Sequence, residues 1–307
     1  MKKRIASILL TMLLLLAMLP TVGATAAEPW DDLCTVKDLT PLEERIYLGM
    51  MACEERIDLS DLGVTKAELE AAMQYLSYAA PELFHLDSTY TSQTQGSALV
   101  AVLPDYIMVG EELEVARARY RLALAEITAR VDPTWSEVEI CLYLHDYLCT
   151  AFAYDTTYTI YDAYGFLTEG TGVCQAYTLT YAALLSLFDI PVSFATGMDG
   201  DVAHIWNIVT IGGKNYHVDV TWGDPLRGGA DVPGYVSHEN FLKSDAAIDA
   251  TGHAGRVNRG GIVCNDGFYD YAAFTSFTAP SPLSMGWRTA SKTAKFTPLL
   301  TTFRALP

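Results

Sequence analysis

The chain has 307 residues, half of them hydrophobic, and carries 37 acidic against 20 basic side chains for a formal charge of −17. That length and apolar content suit one large domain or two modest ones with a substantial core. So acidic a chain repels phosphate backbones, which argues against nucleic-acid binding, and its six cysteines are too sparse for a disulfide framework.

Lys2, Lys3 and Arg4 precede an apolar run, IASILLTMLLLLAMLP, and Ala24-Thr25-Ala26 fits a small-residue cleavage site. The run is short for a bilayer span of roughly 20 residues. Residues 1–26 are therefore expected to be a signal peptide, leaving a secreted or cell-surface protein with a net charge of about −20 and no stable membrane insertion. Cys34 and Cys53 could pair in that oxidising setting. Cys141 and Cys149 could not, because eight residues of helix separate them by about 12 Å.

Residues 27–132 are expected to form an N-terminal, mainly helical region. Thr40 caps a helix from Pro41 to about Glu55, and Thr65 with Glu68 has the spacing of a capping box. Pro81 ends that second helix. SALVAVLPDYIMV (97–109) is β-like, with Pro104 at an edge or turn. A long amphipathic helix runs from Glu111 to Val131 and stops at Asp132-Pro133.

Residues 133–307 are expected to hold the functional core and a loop-rich C-terminal part. A helix from Ser136 to about Ala153 carries His145, for which a structural role near solvent is expected, and Asp146. In GTGVCQAYTLTYAALL (170–185) a glycine-broken turn becomes a helix with Cys174 in its first turn and Tyr177, Tyr181, Leu184 and Leu185 on one face. PVSFAT reads as a short strand. HIWNIVTI and YHVDVTW read as hairpin arms around a Gly212-Gly213 turn that sets Ile211 opposite Lys214. ENFLKSD and GFYDYAAF are apolar anchors beyond it, and residues 223–261 could cover the cleft as a lid.

The hairpin supplies what a reactive cysteine needs. With Ile211 facing Lys214, His204 faces Thr221, and Asp219 is its diagonal neighbour on the same sheet face. An Asp beside a His fixes the ring tautomer and stabilises the imidazolium. Helix N-termini and imidazolium groups in turn stabilise thiolates. Cys174, His204 and Asp219 are thus the candidate nucleophile, base and orienting acid. Gln175, Tyr164, Trp206 and Trp222 are secondary candidates for the oxyanion site or substrate cleft. His217 shares the face but lies about 13 Å along it, and Asp224 reads as a turn residue. No spacing suggests a metal site.

These three stretches, GVCQAYTLTYAALL, HIWNIVTI and YHVDVTWGDP, resemble the transglutaminase-like superfamily, whose Cys-His-Asp arrangement is shared with papain-like enzymes. LHDYLCTAFAYD (144–155), PELFHL and NFLKSD are similar to its bacterial secreted branch. The resemblance implies an α+β fold in which a cysteine-bearing helix packs on an antiparallel sheet carrying His and Asp, below a mostly helical N-terminal region. It implies an exported cysteine acyl-transfer enzyme acting on peptide or protein amides through a thioester, by hydrolysis or transamidation, with no cofactor and no metal. Ala176 departs from the glycine usual after Cys-Gln. The competing implication is an inactive surface or binding module that keeps the fold.

Overall fold

A computed structural model describes residues 38–232 and 234–270. The expected signal peptide and Cys34, and with it the Cys34–Cys53 pairing, lie outside the described residues. No described helix is long and apolar enough to cross a membrane.

Helices α1 (Pro41–Met51) and α2 (Lys66–Ala79) both start at capping boxes, in which Thr40 and Thr65 accept from the Glu43 and Glu68 amides and each glutamate bonds back. α1 stops short of Glu55 because Cys53 turns into the left-handed region at φ 54°. Between the helices lies β1 (Ile57–Asp58), and a 3₁₀ turn at Pro81–Leu83 follows α2. Strands β2 (Leu86–Gln95) and β3 (Ala98–Tyr106) form an antiparallel hairpin, and β1 adds to the other edge of β3. The N-terminal region is therefore helical with a sheet of its own. Pro104 sits beyond the reach of β1 and beside a register shift in β2, where its missing N–H costs little.

α3 (Gly110–Thr128) and α4 (Glu137–Ala151) follow, the latter behind a Ser136–Glu139 capping box. β4 (Ala153–Tyr154) pairs in parallel with β5 (Thr171–Gly172) around α5 (Ala163–Glu169). Helix α6 (Cys174–Ser186) then crosses the main sheet, made of β6 (Val192–Asp199), β7 (Val202–Ile211), β8 (Lys214–Val218) and β9 (His253–Asn258). Its order is β8-β7-β6-β9 and every pairing is antiparallel. The fold is α+β, as the motifs imply.

α6 is fixed to β7 by polar as well as apolar contact. Thr178 Oγ1 donates to the Ile205 carbonyl at 3.1 Å, and Asn207 Nδ2 donates to the Thr178 carbonyl at 3.1 Å. Tyr177, Tyr181, Leu184 and Leu185 are fully buried on the helix. Gly212 and Gly213 both have positive φ, as a type I′ turn requires, and Ile211 faces Lys214 as expected.

The second arm departs from expectation. β8 ends at Val218, and Asp219 becomes the N-cap of a one-turn helix, α7 (Val220–Gly223). A downstream segment takes the outer edge of β8: the Asp219 N–H donates to the Asn240 carbonyl at 2.9 Å, and Lys243 pairs with His217. His204 accordingly faces Gly197 of β6 and has no partner on β8. Within residues 223–261, read from sequence as a possible lid, Asp245–Ala250 form α8 and His253–Asn258 form the edge strand β9. Phe241 and Leu242 are buried anchors, but Phe268 is exposed.

Candidate active site

Cys174 opens α6, and the segments before it are tied down in sequence. Asp155 accepts from the backbone N–H groups of Thr157, Thr159 and Ile160 at 2.8, 2.7 and 3.0 Å, which coils residues 155–160 into one turn. Burial alone would raise that carboxyl's pKa, but these bonds hold it well below the usual range. The Ile160 carbonyl then accepts the N–H of Val173, the residue that caps α6. Gly172 packs so closely that a Cβ there would fall 2.6 Å from Phe166 Cδ2 and 2.7 Å from Ala176 Cβ. The half-buried Cys174 is thus delivered by a loop with little freedom.

His204 Nε2 lies 2.7 Å from Asp219 Oδ2, with both residues buried. Cys174 lies near enough to the same imidazole to help hold its proton. Burial alone would lower the His204 pKa. The charge and hydrogen bond of Asp219, helped by Cys174, instead raise it to about 10. Burial would raise the Asp219 carboxyl in turn, yet His204 and a second histidine, His253, hold it well below its usual range. At neutral pH the pair is an imidazolium on a carboxylate. Trp222 N–H donates to Asp219 Oδ1 at 3.1 Å, so the N-cap of α7 is also the partner of His204.

The HDYL stretch supports this arrangement from behind. His145 is fully buried rather than near solvent, because Asp146 Oδ1 holds its Nδ1 at 2.9 Å while Phe241 covers its ring edge-on at 5.0 Å. His238 Nε2 meets the same Asp146 oxygen at 2.7 Å. Cys149 donates its thiol to the Val220 carbonyl at 3.4 Å, and Gly223 rests directly on His145 and Cys149. Asp224 is buried and accepts from Tyr177 Oη at 2.7 Å, an anchor between α6 and the turn after α7.

The secondary candidates divide. Trp206 is buried against His204 with ring centroids 5.7 Å apart, and its Nε1 donates to His217 Nδ1 at 3.0 Å. Trp222 lies over the site, its ring 6.5 Å from His204 and 5.2 Å from His253. Gln175 turns away and donates to the Ser77 carbonyl of α2 at 3.1 Å, and Tyr164 stacks on Phe84 at 4.7 Å. His217 serves Trp206 and, through Nε2 at 2.9 Å, Asp245.

Two neighbours were not singled out from sequence. Tyr154, beside Gly172 in the β4–β5 pair, has its phenol pKa raised by burial and then by the charge of nearby Cys174. The parallel β4–β5 bridge is too short to announce itself. His253 lies on β9 in TGHAGRVN, a stretch whose glycines hide its alternation.

Among the described residues, three groups of side chains have donor sets suited to a metal: His145, Asp146 and His238; His204, Asp219 and His253; His217, Asp245 and Cys264. Tetrahedral zinc would hold its donor atoms about 3.3 Å apart. The N···O separations here are 2.7 to 2.9 Å, the length of hydrogen bonds with a proton between the atoms.

Residues 124–220 match the model of the transglutaminase-like superfamily, a span that contains Cys174, His204 and Asp219. None of the curated proteins matches the chain. Solved structures that the chain matches include a proposed cysteine protease of Cytophaga hutchinsonii, 14% identical over 47% of this chain and 65% of that one, with a TM-score of 0.29. Another is a TGase, 15% identical over 56% of this chain and 53% of that one, at 0.31. Menin, in a structure said to reveal the binding site for Mixed Lineage Leukemia protein, is 16% identical over 73% of this chain and 43% of that one, at 0.34. The chain thus spans 65% or less of each of these proteins.

Proposed function

From the premise that residues 124–220 are a transglutaminase-like core, we propose that the protein is a cysteine acyl-transfer enzyme acting on peptide or protein amides. The observation that carries this reading is the buried His204–Asp219 pair, with Cys174 at the start of α6 near enough to act on the same imidazole. A helix N-terminus and an imidazolium both favour a thiolate.

The Cys174 sulfur attacks the carbonyl carbon and forms a C–S bond, and the amide oxygen takes the negative charge. The Cys174 N–H, in the first helical turn, has no intrahelical acceptor and can stabilise that oxyanion. His204 passes its proton to the leaving nitrogen as the C–N bond breaks, which leaves a thioester and a neutral imidazole. His204 then takes a proton from water or a primary amine as it attacks the thioester carbon, the C–S bond breaks with its electron pair going to sulfur, and the thiolate–imidazolium pair is restored. Asp219 keeps its proton-free state throughout and holds the ring. Water gives hydrolysis and an amine gives transamidation. In this reading the enzyme works outside the cell after loss of residues 1–26.

Alkylation with iodoacetamide at neutral pH, followed by peptide mapping, tests the reading. Cys174 should label well ahead of Cys53, Cys141, Cys149 and Cys264, and His204→Ala should abolish that lead. Uniform labelling of the folded protein would sink the proposal and leave an inactive module. Mass spectrometry of a peptide library incubated with and without a primary amine then separates cleavage, deamidation and amine addition.

A further inference from the structure

Asp219 has a second imidazole on the same oxygen that holds His204. His253 Nε2 lies 2.8 Å from Asp219 Oδ2, against 2.7 Å for His204 Nε2. The ring is buried, edge-on to Trp206 at 4.8 Å and tilted against Trp222 at 5.2 Å. Its Nδ1 is 3.1 Å from Thr251 Oγ1, which is itself anchored to the Ile248 carbonyl at the end of α8. β9 sets the residue there by pairing His253 with Asp199 on β6. A carboxylate is acceptor-only, so His253 must donate through Nε2.

We propose that His253 is a positioning residue of this site: it locks the Asp219 carboxylate against rotation and takes up part of the charge that would otherwise fall on His204. The inference rests on the acyl-transfer reading for its purpose, but not for its geometry. With the Trp222 N–H on Oδ1, Asp219 is bound by three donors from β7, α7 and β9. Remove one and the carboxylate becomes both freer to turn and more basic toward the imidazole that remains.

Among the described residues, other ionisable groups near the cluster are Cys174 on α6, Asp199, which pairs with His253 from β6, and His145 on α4, which feels the Asp219 charge. On α8, Asp245 is engaged by His217 and Arg256, and Asp249 by Arg256. Thus the effect of His253 should be read on His204 itself.

Two near-isosteric substitutions separate positioning from packing. Gln places its amide nitrogen where Nε2 stands, whereas Asn places it where Nδ1 stands. His253→Gln therefore keeps the donor to Asp219, and His253→Asn keeps only the contact with Thr251. The His204 imidazole titration, followed by NMR on the full chain, should shift upward by about half a unit or more in H253N and stay at the wild-type position in H253Q. Coincident midpoints in all three proteins, or equal shifts in both variants, would overturn the proposal. Should H253N not fold, Thr251→Val loosens the ring from its far side, and an unmoved His204 midpoint there counts against it equally. Iodoacetamide labelling of Cys174 in the same samples tests the acyl-transfer reading separately. An unreactive wild-type thiol would defeat that reading and leave the titration result standing.

Discussion

Gly223 lies against His145 with no room for a side chain: a Cβ there would press on Nε2 of the ring and fall 2.8 Å from Cys149 Sγ. The glycine closes the one-turn helix that Asp219 opens, so the back of α4 sets the position of the carboxylate in front.

Gly223→Ala should destabilise the protein by roughly 1–3 kcal/mol through overpacking and slow the alkylation of Cys174 at neutral pH. Adding Cys149→Ala creates space on one side and should restore part of both losses. Denaturant midpoints and labelling rates of the single and double variants measure the coupling.

Asp219→Asn keeps the shape of the site but removes the charge that stabilises the imidazolium. Without it, burial dominates, and the His204 midpoint should fall from about 10 to the ordinary 6.5 or below. Activity should drop on the order of 10³ to 10⁴-fold because the wrong tautomer is held. An unchanged NMR titration of His204 would show that Asp219 is not its partner in solution.

The same pair gives stability a defined pH dependence. His204 binds its proton more tightly when folded, so its contribution is whole below pH 6.5 and is lost as pH rises through about 10. Asp219 has the opposite sign: its contribution is present above pH 3.8 and is lost as pH falls below that value. Their combined support is therefore greatest between these two lower limits and declines on the alkaline side. Thermal midpoints across pH 4 to 10 should show that decline in the wild type and a flatter profile in Asp219→Asn.

Arg259 grips Glu43 with both terminal nitrogens, at 3.1 and 2.9 Å, while its guanidinium covers the Tyr75 ring at 4.0 Å. Lysine cannot reproduce the fork or the stacking. Arg259→Lys should lower the urea midpoint by an amount equivalent to roughly 1 kcal/mol and leave Cys174 labelling unchanged, since neither residue touches the site.

How much of this was legible in the sequence depends on range. The capping boxes at Thr40, Thr65 and Ser136 and the Gly212-Gly213 turn are local patterns, and each appears where its residues put it. The cysteine-bearing helix was equally readable from its apolar face. β2 was not, because its residues are mostly exposed and polar and leave no alternating apolar signal. The pattern VDVTW reads as a continuing strand, yet Asp219 leaves it to cap α7, beside contacts with Asn240 and Lys243 that local pattern does not encode. His253 was hidden for the same reason: its role comes from the pairing of β9 with β6, which nothing in its neighbours encodes.

The Glu43–Arg259 clamp joins residues 216 positions apart. Contacts of such separation are slow to form, because the chain must order most of itself before they reward the loss of freedom. The first described helix therefore lacks this clamp during synthesis until the turn after β9 has emerged. A nascent chain that already displays Cys174, His204 and Asp219 still lacks His253, so the three-donor hold on Asp219 cannot form until β9 has been made.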